Sequence, residues 1–94
     1  MSATAKRRHF LLGIGGIGMS AIARHLHQLG HEVAGYDLTP SPLTEQLQHE
    51  GMQIIHQDDA SLLPAWCQHA TPDDLNVVWT PVVPRSLNLV QHFE

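Results

Sequence analysis

The sequence predicts an α/β fold, a single domain in which a parallel sheet is layered between helices on both faces. Short apolar runs alternate with stretches of helical periodicity, the pattern of strands joined by crossover helices. Two of the helical stretches stop at glycines, Gly30 and Gly51. The first apolar run meets a glycine cluster, Gly13-Ile-Gly-Gly-Ile-Gly18, that opens the first helical stretch. A chain of 94 residues holds one core of this kind and no second lobe.

Met1 to Lys6 are small or polar and are expected to fray. Arg8 to Leu12 form the first strand. The helix after the glycines is expected from Ile17 to Leu29, burying a stripe of Ile22, Leu26 and Leu29, with Gly30 as its stop. His31 to Tyr36 make the second strand, parallel to the first because a helix joins them, by a right-handed crossover. Thr39-Pro-Ser-Pro42 breaks the pattern before a helix from Leu43 to Glu50 and a third strand from Met52 to His56.

Between Gln57 and Leu75, Pro64 and Pro72 interrupt the chain, and one short helix is expected. There Leu62, Leu63 and Trp66 seek burial, while Asp58, Asp59 and Ser61 are candidate N-caps rather than metal ligands. Asn76 to Thr80 form a fourth strand whose apolar Val77-Val78-Trp79 suits an interior position in the sheet. Pro81 and Pro84 end it, and Ser86 to Phe93 begin another helix.

The glycine cluster is the main functional signal. Gly13, Gly15 and Gly18 fit G-x-G-x-x-G, the fingerprint of a Rossmann-like strand–turn–helix unit. In that pattern the first glycine allows the turn, the second lets a ligand's phosphates approach the backbone, and the third lets helix and strand pack closely. N–H groups at the start of the helix carry partial positive charge and attract an anion without a lysine. Asp37 ends the next apolar run, at the separation where such folds place an acid on a ribose hydroxyl. Asp37 and the glycine turn are therefore expected to line one crevice.

The rest of the composition narrows the function. With 43% hydrophobic and 15% charged residues the chain suits a soluble globular domain. Its formal charge of −4 offers no attraction to nucleic acid or to an anionic membrane, and the one basic run, Lys6-Arg7-Arg8, reads as a solvated lead-in to the first strand. No stretch approaches the ~20 apolar residues of a membrane span, and no signal-peptide core is visible, so a cytoplasmic location is expected. Cys67 is the single cysteine and cannot form an internal disulfide. The eight histidines are scattered rather than set at ligand spacing, which favours surface or packed roles over a metal site. No Gly-x-Ser-x-Gly elbow and no Gly-Lys-Ser/Thr phosphate loop is present, so binding equipment is visible and a catalytic set is not.

The stretch His9-Phe10 followed by Gly13-Ile-Gly-Gly-Ile-Gly-Met-Ser20 resembles the opening of the Mur ligases, His-Phe-x-Gly-Ile-Gly-Gly-x-Gly-Met, with one extra leucine. The resemblance continues through His31-Glu-Val-Ala-Gly-Tyr-Asp-Leu38 and through Val77 to Pro84, and is closest to the branch that adds L-alanine. It implies that residues 1–94 form the N-terminal UDP-sugar-binding domain, with the central ATP-binding and C-terminal domains absent from this chain. The family activates the carboxylate of UDP-N-acetylmuramate as an acyl phosphate with ATP and Mg2+, then forms an amide with L-alanine. No residue here matches that apparatus, so the resemblance implies no cofactor and no activity for this chain alone.

Carried over by position, Gly15, Gly16, Ile17 and Gly18, with Gly13 opening the turn, would form the loop near the uridine diphosphate. Asp37 and Leu38 would border the nucleoside, and Thr80, Pro81 and Val82 would close the other side near the diphosphate. Tyr36 stands where the family usually has serine, and Trp79-Thr80-Pro81-Val82 where it has Ser-Ser/Thr-Ala-Ile. The glycine spacing and Asp37 equally permit an NAD-binding half-domain of a dehydrogenase, and the fold permits a ligand-sensing regulatory domain.

Overall fold

The computed structural model describes residues 7–71, 73–80 and 82–93, so the expectation for Met1 to Lys6 lies outside the described residues. Among these residues four parallel strands form one sheet: β1 (Arg8–Leu12), β2 (Glu32–Tyr36), β3 (Gln53–Ile55) and β4 (Asn76–Val78), in the order β3-β2-β1-β4. Between and after them run α1 (Ile17–Gln28), α2 (Pro42–His49), a 3-10 turn (Ala60–Leu62), α3 (Ala65–Gln68) and α4 (Asn88–Phe93).

Alternation along β1 sorts the core into two layers. Phe10 and Leu12 face a cluster with Ala34, Tyr36, Leu63, Cys67, Leu89 and Val90, which brings α3 and α4 onto that side. Leu11 faces the other way, into a cluster with Ile14, Ala23, Val33, Leu47 and Ile54 that holds α1 and α2. The expected layering of helices on both faces is therefore present.

Three expectations differ from the structure. The stripe of α1 against the sheet is Ser20 and Ala23, flanked by Met19 and Leu26, while Ile22 and Leu29 are 45% and 57% exposed. Small residues let the helix approach the sheet closely, and the Ser20 hydroxyl is satisfied by donating to the Ile17 carbonyl at 2.9 Å. Leu62, at 44% exposure, also stays outside, whereas Leu63 is buried. Finally, among the described residues β4 lies at the edge of the sheet with Val77 and Val78 only half-buried, because the chain passes β2 and β1 on its return from β3 and pairs β4 with β1 there.

Local signals set the helix ends. Ser41 caps α2 reciprocally: its hydroxyl accepts the Thr44 N–H at 3.1 Å, and the Thr44 hydroxyl accepts the Ser41 N–H at 2.9 Å. Asp59 caps the 3-10 turn through the Ser61 N–H at 2.9 Å, so of the three candidate caps there Asp59 acts locally and Ser61 is its donor. Asp58 acts at long range. Its carboxylate accepts the N–H groups of Asn88 at 2.7 Å and Leu89 at 2.8 Å, capping α4 thirty residues along the chain. Asp58→Ala is accordingly expected to lower stability by about 1 kcal/mol, read as a reduced urea midpoint with unchanged slope. A wild-type midpoint would show that α4 needs no cap.

Candidate functional site

The glycine turn is clamped to the end of the second strand. Gly13 adopts φ 85°, a conformation that side chains disfavour, and its N–H and that of Ile14 both donate to the Tyr36 carbonyl, at 2.7 and 3.0 Å. The Gly16 N–H then returns to the Gly13 carbonyl at 3.0 Å. With Gly16 as N-cap, no side chain among the described residues caps α1, and no acid stands in its first turn. Gly16, Ile17 and Gly18 are exposed, Ile17 to 88%, so the positive end of the helix opens to solvent.

Asp37 sits at the exit of β2 and is tied in on several sides. One carboxylate oxygen accepts the Gly15 N–H at 2.8 Å, the other accepts the Thr39 N–H at 3.0 Å, and the Asp37 carbonyl accepts from His56 Nδ1 at 2.7 Å. The acid and the glycine turn share one crevice, as the spacing implied. The glycines, however, divide their work differently from the fingerprint. A β-carbon on Gly15 would lie 2.7 Å from Asp37 Oδ2 and 2.9 Å from Thr44 Cγ2, so the second glycine makes room for the protein's own carboxylate. On Gly18 it would meet nothing within 4 Å among the described residues, none of which needs the third glycine for helix–strand packing. The close approach is made instead at Gly35 in β2, where a β-carbon would lie 2.6 Å from Ile14 Cδ1 in the glycine turn and 2.7 Å from the Leu11 carbonyl oxygen of β1.

Strand order locates the crevice. The chain leaves β1 toward β2 on one side and returns to β4 on the other, which makes the carboxyl ends of these strands a topological switch point. A cleft of about 220 Å³ there brings together Gly13, Asp37, Leu38 and Val82. Tyr36, Val83, Pro84 and Leu87 complete its walls. Leu38 and Val82, 73% and 88% exposed, give it apolar rims suited to the faces of a flat base. Burial, with help from the Asp58 and Asp37 carboxylates, pushes the Tyr36 phenol up, so it stays protonated.

Thr80 lines a neighbouring cleft of about 450 Å³ with Trp79, Val83, Pro84 and Arg85, in which the Arg85 guanidinium lies 5.6 Å above the Trp79 ring. Pro81 lies outside the described residues. The sequence reading missed Val83, Pro84, Leu87 and Arg85. The signal that would have found them is position, since they follow the strand whose end forms the second wall of the crevice.

Away from the crevice, buried His9 bonds His31 (Nε2···Nδ1 2.7 Å) and Asn76 (3.3 Å), a packed role at the amino ends of the strands. Among the described residues no group of three or more His, Cys, Asp or Glu side chains could hold a metal ion, and no helix is long and apolar enough to cross a membrane. Cys67 is buried, and that burial pushes its thiol up to about 12.

Comparison with known proteins agrees with this fold. Residues 9–91 match the family model described as Mur ligase family, catalytic domain. The chain is 46% identical over 87 residues to the UDP-N-acetylmuramate–L-alanine ligase of Porphyromonas gingivalis, covering 93% of this chain and 19% of that protein. It is 44% identical over 84 residues to the same-named enzyme of Parabacteroides distasonis, covering 89% of this chain and 18% of the relative. The crystal structure of UDP-N-acetylmuramate-alanine ligase MurC from Thermotoga maritima superposes with a TM-score of 0.74 at 30% identity, covering 89% of this chain and 18% of that one. The chain thus spans about a fifth of the length of the curated relatives it matches. With a family match that runs from the first strand into the last helix, the chain belongs to the Mur ligase family.

Proposed function

We propose that this chain is the N-terminal substrate-binding domain of a UDP-N-acetylmuramate–L-alanine ligase, holding UDP-N-acetylmuramate for ATP-dependent amide formation in peptidoglycan biosynthesis. The observation that carries the reading is the uncapped start of α1 at Gly16 to Gly18, open to solvent beside the Asp37 cleft. An anion docks there on backbone N–H groups, where the helix dipole favours it.

On this reading Gly15, Gly16, Ile17 and Gly18 surround the diphosphate, Asp37 and Leu38 border the nucleoside, and Thr80, Pro81 and Val82 close the opposite side. Asp37 also holds the Gly15 amide, so it shapes the turn as well as bordering the ligand. ATP, Mg2+ and L-alanine belong to the central and C-terminal parts of the longer relatives, and this chain supplies binding rather than catalysis. The same reading carries a cytoplasmic location, in keeping with Cys67 as a free thiol.

Calorimetric or NMR titration with UDP-N-acetylmuramate and, separately, with NAD tests it. Saturable binding of the UDP-sugar is expected, with shifts at Gly15 to Gly18 and at Asp37. Saturable binding of NAD with none of the UDP-sugar would overturn the ligase reading in favour of a dinucleotide half-domain.

A further inference from the structure

We propose that Arg85, held against the Trp79 ring beside Thr80, contacts an oxyanion of the bound nucleotide sugar, an inference that rests on the function proposed above. The first argument is position. Arg85 and Thr80 line the larger cleft at the exit of β4, which shares Val83 and Pro84 with the cleft that holds Gly13 and Asp37. Val83 Cγ2 lies 3.5 Å from where a Gly13 β-carbon would stand, so one side chain separates the two clefts at the glycine turn. A ligand that seats a base beside Asp37 and phosphate at α1 has its next atoms within reach of this second space.

The second argument is charge. Among the described residues the other guanidinium groups stand elsewhere. Arg7 and Arg8 lie at the amino end of β1, and Arg24 lies within α1. Arg85 is the one Lys or Arg among the described residues that lies at the carboxyl ends of the strands. The chain carries a formal −4, with Asp37 in the crevice and Asp58 near it. A diphosphate and a sugar-borne carboxylate add further negative charge, which the partial charge of one helix end does not balance.

The third is chemistry. A guanidinium over an indole face is drawn there by the cation–π attraction, and a guanidinium's N–H groups have the spacing of two oxygens of a phosphate or carboxylate. Thr80, at the same strand exit, adds a hydroxyl to that space.

The test compares wild type, Arg85→Gln and Arg85→Lys by calorimetry with UDP and with UDP-N-acetylmuramate. Arg85 is exposed, so both variants are expected to keep the wild-type circular dichroism. Arg85→Gln should weaken binding about tenfold, Arg85→Lys should recover part of it, and high salt should narrow the difference. Equal weakening for both ligands assigns the contact to the diphosphate, and weakening confined to UDP-N-acetylmuramate assigns it to the carboxylate. Wild-type binding with unchanged affinity in Arg85→Gln for both ligands overturns the inference and leaves the proposed function standing. A wild type that binds neither ligand overturns both.

Discussion

Gly35→Val is expected to leave the domain unfolded or nearly so, and Gly35→Ala to lower its stability by about 2–3 kcal/mol. The β-carbon added by either change would lie 2.6 Å from Ile14 Cδ1, 2.7 Å from Ile14 Cβ and 2.7 Å from the Leu11 carbonyl oxygen. Ile14 is fully buried, and Leu11 lies opposite Gly35 in the β1–β2 register, so neither neighbour can turn aside alone. Relief requires lifting the glycine turn off the sheet, which breaks the paired bonds from Gly13 and Ile14 to Tyr36. A domain this small sits toward the low end of the usual ~5–15 kcal/mol, so such a loss is a large fraction of the whole. Urea denaturation followed by circular dichroism measures it. An alanine variant with the wild-type midpoint would show that the strand relaxes at no cost.

That glycine marks where the sequence stopped being readable. The β1 boundaries and the parallel alternation were legible because each depends on residues within one or two turns of chain: the apolar run Phe10 to Leu12, the glycine stops, and Ser41 with Thr44 at the head of α2. The buried face of α1 was not. Apolar periodicity weights large side chains and pointed to Ile22 and Leu29, but close approach to the sheet selected Ser20 and Ala23. The place of β4 at the edge of the described sheet was equally hidden, since an apolar run reports burial of its side chains and says nothing of which strands flank it.

The site divides the same way. Gly13 and Asp37 meet in one crevice because a local motif and a fixed crossover length bring them there. Val83, Pro84, Leu87 and Arg85 enter from a loop without period, and only the strand order shows that β4 exits beside β1. The roles of individual glycines were illegible for a related reason. A fingerprint records where a side chain is absent, whereas the structure shows which neighbour uses the space: Asp37 at Gly15, Ile14 at Gly35, and no described neighbour at Gly18.

Gly18 and Gly15 therefore separate folding from binding. Gly18→Ala is expected to raise stability by roughly 0.5–1 kcal/mol, because alanine is the better helix former and its methyl meets no described neighbour within 4 Å. Since each Cα–Cβ bond tilts toward the helix N-terminus, that methyl leans over the amide groups on which phosphate is proposed to dock, and affinity for UDP-N-acetylmuramate should fall about tenfold or more. Gly15→Ala behaves otherwise. Its methyl, 2.7 Å from Asp37 Oδ2 and 2.9 Å from Thr44 Cγ2, displaces the carboxylate that accepts the Gly15 N–H, so stability falls by roughly 1–3 kcal/mol and binding falls with it. Thermal melts and calorimetric titrations on the same preparations distinguish the two. A Gly18→Ala variant that binds as tightly as wild type would remove the first turn of α1 from the ligand site, and a Gly15→Ala variant that melts with wild type would show that Asp37 holds the turn without stabilising it.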